Sequence, residues 1–455
     1  MKNKIEPINQ EVEFGFEEIF FSLTDKKGII VDGNNVFIRV SGYQKEELIS
    51  KPHNIIRHPD MPKCVFELLW KKIQADQPIV AYVKNMNVEG KFYWVLSTVI
   101  PIKDGYLSIR IKPQSPFLNV VKELYPLLLE KEKKEGMKAA YALLMEKLLE
   151  HNFETYESFM VRALSNEILT NRKLIQFAPL NIEGLGIKNP IYKEISRSFG
   201  KNSKQFNVVL DKIKSIIEFA PNLKSKTDSI LLSCNKLDYI SLNMSINSGN
   251  LGQETASVSI ISREFQSMVS IIRGLVKKFQ DNSIKLRSEI EIIEFESMYS
   301  FLQIKTIELF FNEFFNMEKD NDGEPTENSE SSRKNLRILF AQLIQSINLN
   351  AIKALEKSSS SCKGLLDISN LLKGKIFSLE ITKDLSKIEI SRNKRIEGYF
   401  DNQIQDIQNF ISGNKDNIGN IQEMTSAAAN EIKNIIDSMK QINNYISSVN
   451  KKLQN

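Results

Sequence analysis

The order of apolar and polar residues divides this 455-residue chain into two parts. Between residues 20 and 113, short runs of β-branched and aromatic residues are separated by turn residues, which is typical of short strands. Beyond Pro116 the apolar residues recur at steps of three and four, which is the spacing of helices. The pattern predicts an α+β N-terminal domain followed by a mostly α region of long antiparallel helical coiled-coil arms.

The N-terminal part predicts two groups of strands joined by a loop and a helix. The helix is predicted over residues 64–74, where Val65, Leu68, Leu69 and Ile73 follow helical spacing. Turn residues at 87–90 and 103–105 make the last three strands a meander. The strand candidates are residues 29–31, 36–39, 79–85, 92–101 and 106–111.

The last fifty residues carry a heptad seam. Alternating steps of four and three from Phe400 to Val449 select fifteen positions, of which thirteen are apolar. A stripe this narrow has to be buried against another helix, supplied either by a second chain or by the upstream arm. At about 1.5 Å per residue the rod is roughly 75 Å long. Asn414 lies in the seam, where a polar residue can fix the register.

Composition and charge favour a folded, cytoplasmic protein. The net charge is +5, from 61 basic and 56 acidic residues that are interleaved, so no nucleic-acid footprint is expected. Cys64, Cys234 and Cys362 have no paired spacing, which disfavours a disulfide framework or a metal site. Residues 239–253 and 338–352 are the longest uncharged stretches and fall short of the roughly 20 apolar residues of a bilayer span. The first twenty residues lack a secretory signal pattern.

Catalytic motifs are not found. The sequence has neither a phosphate-binding loop nor a dinucleotide glycine fingerprint. It has three histidines and none after His151, which excludes a histidine-kinase phosphoacceptor helix downstream. We therefore expect that the protein is not an enzyme.

The most specific motif is a polar loop, which prolines stiffen and keep out of a helix. It reads Arg57-His58-Pro59-Asp60-Met61-Pro62. Together with Val40-Ser41-Gly42-Tyr43, Val83-Lys84-Asn85 and Tyr93-Trp94-Val95, it resembles the PAS sensor domain of the bacterial aerotaxis receptor family over residues 20–112.

This resemblance implies an FAD-binding pocket. The positions that match the family's flavin-linked residues are Asn34, Arg57, His58, Asp60 and Asn85. Amides can donate to and accept from a flavin edge, and an arginine fork can face a pyrophosphate. Ile79 stands where the family has Trp, which removes a stacking plane.

Two other interpretations of these residues stay open. Arg57, His58 and Asp60 can form a hydrogen-bond network that only shapes the loop. Haem would need an axial ligand from His53, His58 or His151, and we expect His53 to be a surface or capping residue. Trp70 and Trp94 are expected in the core.

Residues 240–268 resemble the cytoplasmic tip of methyl-accepting chemotaxis receptors. The matching positions are Leu242, Asn243, Ile246, Gly252 and Glu264. The family's charged residues are replaced by Asn247, Asn250 and Gln266, so contact with the chemotaxis kinase and its coupling protein is in question. A serine-rich coiled coil with a chance match is the alternative.

Together these features predict a dimeric signalling protein in which the PAS domain biases a helical bundle. A structural coiled-coil scaffold with a ligand-free PAS module is the alternative. The predicted divisions are an N-terminal cap (1–19), a PAS sensor domain (20–115), a helical connector (116–185), a first helical arm (186–317), a disordered acidic loop (318–334), which lacks apolar anchors, and a second arm (335–455).

Overall fold

The computed structural model describes residues 5–176, 190–250, 256–320, 343, 347–392, 398 and 400–454. The chain forms two compact units. The first contains Met1–Leu210, Glu294–Ala351 and Ser438–Asn455, and the second contains Asp211–Ile293 and Ile352–Asp437. The N-terminal domain therefore belongs to the first unit.

A six-stranded sheet forms the N-terminal domain. The meander predicted from the sequence is confirmed, because β4 pairs antiparallel with β5 and β5 with β6. The predicted N-terminal cap contains β1, which pairs in parallel with β5. The strands are β1 (Ile8–Glu11), β2 (Ile19–Asp25), β3 (Ile30–Gly33), β4 (Ile79–Met86), β5 (Lys91–Ile102) and β6 (Gly105–Ile111), in the order β1-β5-β6-β2-β3 with β4 also paired to β5.

Short helices cover one face of the sheet. They are α1 (Asn35–Ser41), α2 (Lys45–Leu48) and α3 (Lys63–Gln74), with a 3-10 turn at His53–Ile56. Helix α3 was predicted correctly, whereas the strand predicted at residues 36–39 is wrong, because these residues lie in α1. Asn34 caps this helix by accepting a hydrogen bond from the Phe37 amide, and the cap outweighs the strand preference of the β-branched residues.

The helical connector packs on the outer face of the sheet. It contains α4 (Phe117–Glu135), α5 (Met137–Glu150), α6 (Tyr156–Thr170) and α7 (Arg172–Gln176). The Tyr125 hydroxyl of α4 donates to the Tyr82 carbonyl of β4 at 2.8 Å. The predicted boundary after the connector, at residues 179–190, lies almost wholly outside the described residues.

Within the described residues, each predicted arm contains two long helices. These are α8 (Pro190–Asn250) and α9 (Ala256–Asp320) in the first arm, and α10 (Leu349–Arg392) and α11 (Asp401–Gln454) in the second. In the second unit, hydrogen bonds from Ser245 to Ser262 and from Ser248 to Ser259 show that α8 and α9 are antiparallel. Within the acidic loop predicted at 318–334, residues 318–320 end α9, and the others lie outside the described residues.

The heptad seam of α11 is covered by the same chain. All fifteen seam positions are buried in a structure of one chain. In the second unit, Asn414 accepts a hydrogen bond from the Ser233 hydroxyl of α8 at 3.0 Å and donates to the Phe410 carbonyl at 2.7 Å. The sequence left open whether a second chain or the upstream arm covers the seam. In the structure of one chain, the upstream arm covers it. None of the helices in the described ranges is long and apolar enough to cross a membrane.

Candidate functional site

A cavity of about 250 Å³ lies between the concave face of the sheet and α3. Helix α3 contributes apolar and aromatic side chains, while the strands and the 3-10 turn contribute polar ones. The helix residues are Phe66, Leu69, Trp70 and Ile73, and the polar residues include His53, Asn54, Arg57, Asn85, Ser97, Ser108 and Arg110.

Strand alternation produces the polar floor of this cavity. Side chains two residues apart share a face of a sheet, so Ser108 and Arg110 of β6 point to the same side. Ser97 of β5 lies opposite Arg110 in the strand register. The Ser97 and Ser108 hydroxyls are 2.8 Å apart and hydrogen-bonded.

Arg110 forms a buried polar cluster at the cavity wall. Its guanidinium donates to the Ser22 hydroxyl at 3.1 Å and to His53 Nε2 at 2.6 Å. Burial lowers the pKa of Arg110 to about 10, so the group stays charged at neutral pH. Burial and the nearby Arg110 charge hold the pKa of His53 well below its ordinary value. His53 is therefore neutral, and its accepting Nε2 assigns the proton to Nδ1.

The sequence analysis missed Arg110 and misplaced His53. Arg110 was not a candidate, although an arginine in an otherwise apolar strand, aligned with Ser108, is a signal for a polar cavity face. The expectation that His53 is a surface or capping residue is wrong, because its ring lines the cavity and contacts Arg110.

Two of the five candidate residues line the cavity, and they are Arg57 and Asn85. Their backbones form an isolated antiparallel bridge. The Arg57 guanidinium lies over the Phe66 ring, 4.1 Å from its centroid, and donates to the Met61 carbonyl at 2.9 Å. Asn85 is buried, and its Nδ2 has no hydrogen-bond partner. An unpaired buried amide donor is costly, and it points to a missing acceptor.

Asn34 is not among the residues that line the cavity, because its amide serves the fold. Its Oδ1 accepts from the Phe21 amide at 3.1 Å and the Phe37 amide at 3.2 Å. Its Nδ2 donates to the Ile19 carbonyl at 3.1 Å. This side chain holds the start of α1 against β2.

His58 and Asp60 also lie away from the cavity. Buried His58 accepts the Asp60 amide hydrogen bond at Nδ1, at 3.1 Å. The Asp60 carboxylate pairs with Lys84 Nζ at 2.6 Å. Lys84 precedes Asn85 on β4 and therefore points to the opposite face of the sheet. For these two residues the geometry matches the alternative interpretation, a network that shapes the loop.

The other residues singled out in the sequence lie in different parts of the fold. Trp94 is buried as expected and packs on Tyr125, whereas Trp70 lines the cavity. Ile79 is buried but does not line the cavity. His151 is exposed at the end of α5. In the part of the chain that the structure describes, no group of three or more His, Cys, Asp or Glu side chains is placed to hold a metal ion.

Comparison with known proteins finds similarity in the N-terminal domain. A family model described as PAS fold matches residues 30–108. The aerotaxis receptor of Escherichia coli is 35% identical over 124 residues, which are 26% of this chain and 24% of that protein. The biofilm dispersion protein BdlA of Pseudomonas aeruginosa is 26% identical over 82 residues, 18% of this chain and 20% of that protein.

A solved PAS domain of a protein from Colwellia psychrerythraea is 23% identical and covers 21% of this chain and 85% of that chain, with a TM-score of 0.19. The chain spans a quarter or less of the length of the two curated relatives, so the similarity describes the N-terminal domain. Residues 30–108 therefore match the PAS fold, and the N-terminal part of the chain is similar in sequence to the aerotaxis receptor.

Proposed function

We propose that this protein is a signal-transduction sensor whose PAS domain binds the flavin of FAD and biases the packing of the helices that follow. The observation that carries the proposal is the unpaired Nδ2 of buried Asn85 in the cavity. FAD has oxygen acceptors on its ring carbonyls, its ribityl chain and its phosphates, which such a donor can satisfy. When bound, the flavin supplies a redox-active ring. Its site would then report oxidation state rather than perform catalysis.

The size of the cavity limits which part of FAD it can enclose. At about 250 Å³ it lies just below the roughly 300–1,000 Å³ of ordinary small-molecule sites. It suits a flat ring against the aromatic side chains of α3, with the adenine nucleotide outside. Arg57 lines the same cavity and has a guanidinium fork suited to a pyrophosphate. Haem is the weaker candidate, because His53 uses Nε2 to accept from Arg110.

Contacts within the first unit support this coupling of the cavity to the helices. Val83 and Asn85 line the cavity from β4, and the backbone of the same strand holds Tyr125 of α4. From the connector, Arg162 of α6 pairs with buried Glu294 of α9 at 3.2 Å. A change in the cavity would therefore act on α4, α6 and α9 as a two-state bias.

The partners we propose are a second copy and the chemotaxis kinase with its coupling protein. The seam of α11 is filled by one chain, so a homodimer would need another surface. Gln266, which replaces a family arginine, donates to the Ser245 hydroxyl of its own hairpin at 3.2 Å. A neutral residue engaged within the hairpin argues against strong kinase coupling.

Reconstitution with FAD tests the proposed function. We expect the full chain to take up FAD, measured by the flavin absorbance retained after gel filtration. Asn85→Ala and Arg57→Ala should weaken the uptake at least tenfold, because each removes a group that faces the cavity. The matched controls are Asn119→Ala on the exposed surface of α4 and Arg39→Ala, whose side chain is 53% exposed. No uptake by the wild type, or equal uptake by all four variants, would contradict the proposal and favour a ligand-free scaffold.

A further inference from the structure

Arg110 is a buried cation that has only neutral partners. Its residue is 2% exposed, and its hydrogen bonds go to a serine hydroxyl and a neutral histidine. Across the described ranges, no carboxylate forms an ion pair with it. A buried charge without a counter-charge is strongly unfavourable, and proteins retain one where something else pairs with it.

The protein itself offers Arg110 partial compensation. The guanidinium lies 5.8 Å from the centroid of Phe20 and 5.5 Å from that of Phe37, at the outer range of cation–π contact. His53 contributes a lone pair at Nε2 but no charge. The cation is thus fixed in place and left with its charge uncompensated at the wall of a cavity.

The strand register gives the cavity two separate polar ends. Asn85 lies opposite Tyr93 of β5, and Arg110 lies opposite Ser97 of the same strand. At roughly 3.3 Å per residue, these positions are about 13 Å apart along β5. A ligand that contacts both ends is extended, and the aromatic side chains of α3 that line the cavity favour a flat one.

We propose that Arg110, held by Ser22 and His53, is the anchoring cation of this cavity, and that the ligand is a flat, extended aromatic molecule whose edge facing Arg110 carries or takes up negative charge. The inference rests on the proposed function, in which that edge is the N1–C2=O edge of the flavin. A cation fixed there stabilises the reduced ring more than the oxidised ring, because reduction adds the negative charge.

The test is the midpoint potential of FAD bound to the full chain, measured by titration with dithionite against reference dyes. On reduction the ring takes two electrons from dithionite and one proton at N5, which leaves one negative charge on the N1–C2=O edge. We expect bound FAD in the wild type to have a higher potential than free FAD. Arg110→Met should lower the potential of the bound flavin by at least about 30 mV, a tenfold change for a two-electron couple.

Three variants separate charge from shape. Arg110→Gln keeps a donor for Ser22 but loses the charge, so it should behave like Arg110→Met. Arg110→Lys keeps the charge and should retain most of the potential. Arg39→Met removes an exposed cation and should change nothing. Circular dichroism checks that each variant is folded.

The outcomes are distinguishable. If the wild type takes up no FAD, the proposed function fails and the inference fails with it. If the wild type binds FAD but both neutral variants keep its potential, the inference fails while the proposed function stands. If neither neutral variant folds, a wild-type potential at or below that of free FAD overturns the inference, and a higher one supports it.

Discussion

At the residue scale, Glu167 of α6 joins three elements through one buried carboxylate. Its Oε1 accepts from the Tyr82 hydroxyl of β4 at 2.8 Å and the Ser115 hydroxyl at 2.7 Å. Its Oε2 accepts from the backbone amides of Gln114 at 2.6 Å and Ser115 at 2.9 Å, just before α4. Burial of a carboxylate without a cation is tolerated here because four donors satisfy it.

Glu167→Ala should lower the free energy of unfolding by roughly 3 kcal/mol or more, because it leaves several buried donors unpaired. The control is Glu157→Ala on the same helix, whose side chain is 53% exposed and pairs with Lys72 at 2.8 Å. An exposed ion pair of this kind contributes at most about 1 kcal/mol. Urea unfolding followed by circular dichroism measures both variants, and equal losses would show that the network is not a structural link.

At the element scale, α9 is buried on every side over residues 297–308. This segment contains an ion pair, since Lys305 Nζ lies 3.0 Å from Glu308 Oε2 and donates to the Ser203 hydroxyl of α8 at 2.8 Å. Burial raises the pKa of Glu308 to about 7, although the Lys305 charge acts to lower it. The helix therefore contains a carboxyl that titrates near neutral pH.

The Glu308 carboxyl should make stability depend on pH. Its native pKa of about 7 exceeds the ordinary value of 4.5, so between these values the folded state binds more protons than the unfolded state. The contribution of Glu308 to the free energy of unfolding therefore falls as pH rises from about 5 to 7. Urea unfolding at pH 5.5 and pH 8 should show this decrease.

Variants of the pair isolate its contribution. Glu308→Leu alone should cost about 3–5 kcal/mol at pH 8, because it removes the carboxylate that pairs with the buried Lys305 charge. Combining Lys305→Met with Glu308→Leu should restore most of this loss, since a buried ion pair is often replaced by apolar residues at little cost. The double variant should also have a weaker dependence on pH, and an unchanged dependence would exclude Glu308 as its source.

At the scale of the whole molecule, the seam of α11 decides whether stability depends on association. Ile435 is fully buried and the neighbouring Asn434 is exposed. Ile435→Lys places an unpaired charge in the seam and should cost several kcal/mol, whereas Asn434→Lys should cost little. Circular dichroism during thermal unfolding measures both.

The dependence of the thermal unfolding midpoint on protein concentration distinguishes a seam that is filled within one chain from a seam that two chains share. In the structure one chain fills it, so the midpoint for Ile435→Lys should fall by the same amount at every protein concentration. A midpoint that rises with concentration, together with a lower dimer mass in sedimentation velocity, would place the seam between two chains.

Much of the secondary structure follows from local patterns in the sequence. Alternation and turn residues predicted the meander, and the steps of three and four predicted the long helices, because these periods determine which residues share a face. The strand predicted at residues 36–39 failed because the Asn34 cap, which depends on contacts with β2, fixed a helix there.

The candidate site was predictable only in part, because sequence similarity does not show where a side chain points. Arg57 and Asn85 line the cavity, while Asn34, His58 and Asp60 are engaged elsewhere. The polar loop and its stiffness come from local residues, but Arg110 joins His53 across 57 positions of sequence. Strand register and packing bring such distant groups together. A local pattern in the sequence does not specify these contacts.

The sequence by itself determined the periods, and therefore the meander, the long helices and the narrow apolar seam. The tertiary structure decided which surfaces meet. It filled the seam of α11 from the same chain, and it set an uncompensated cation and an unpaired amide at two ends of one cavity. The physical reason is that hydrophobic burial is not directional, so a seam or a strand face specifies that it must be covered but not by what.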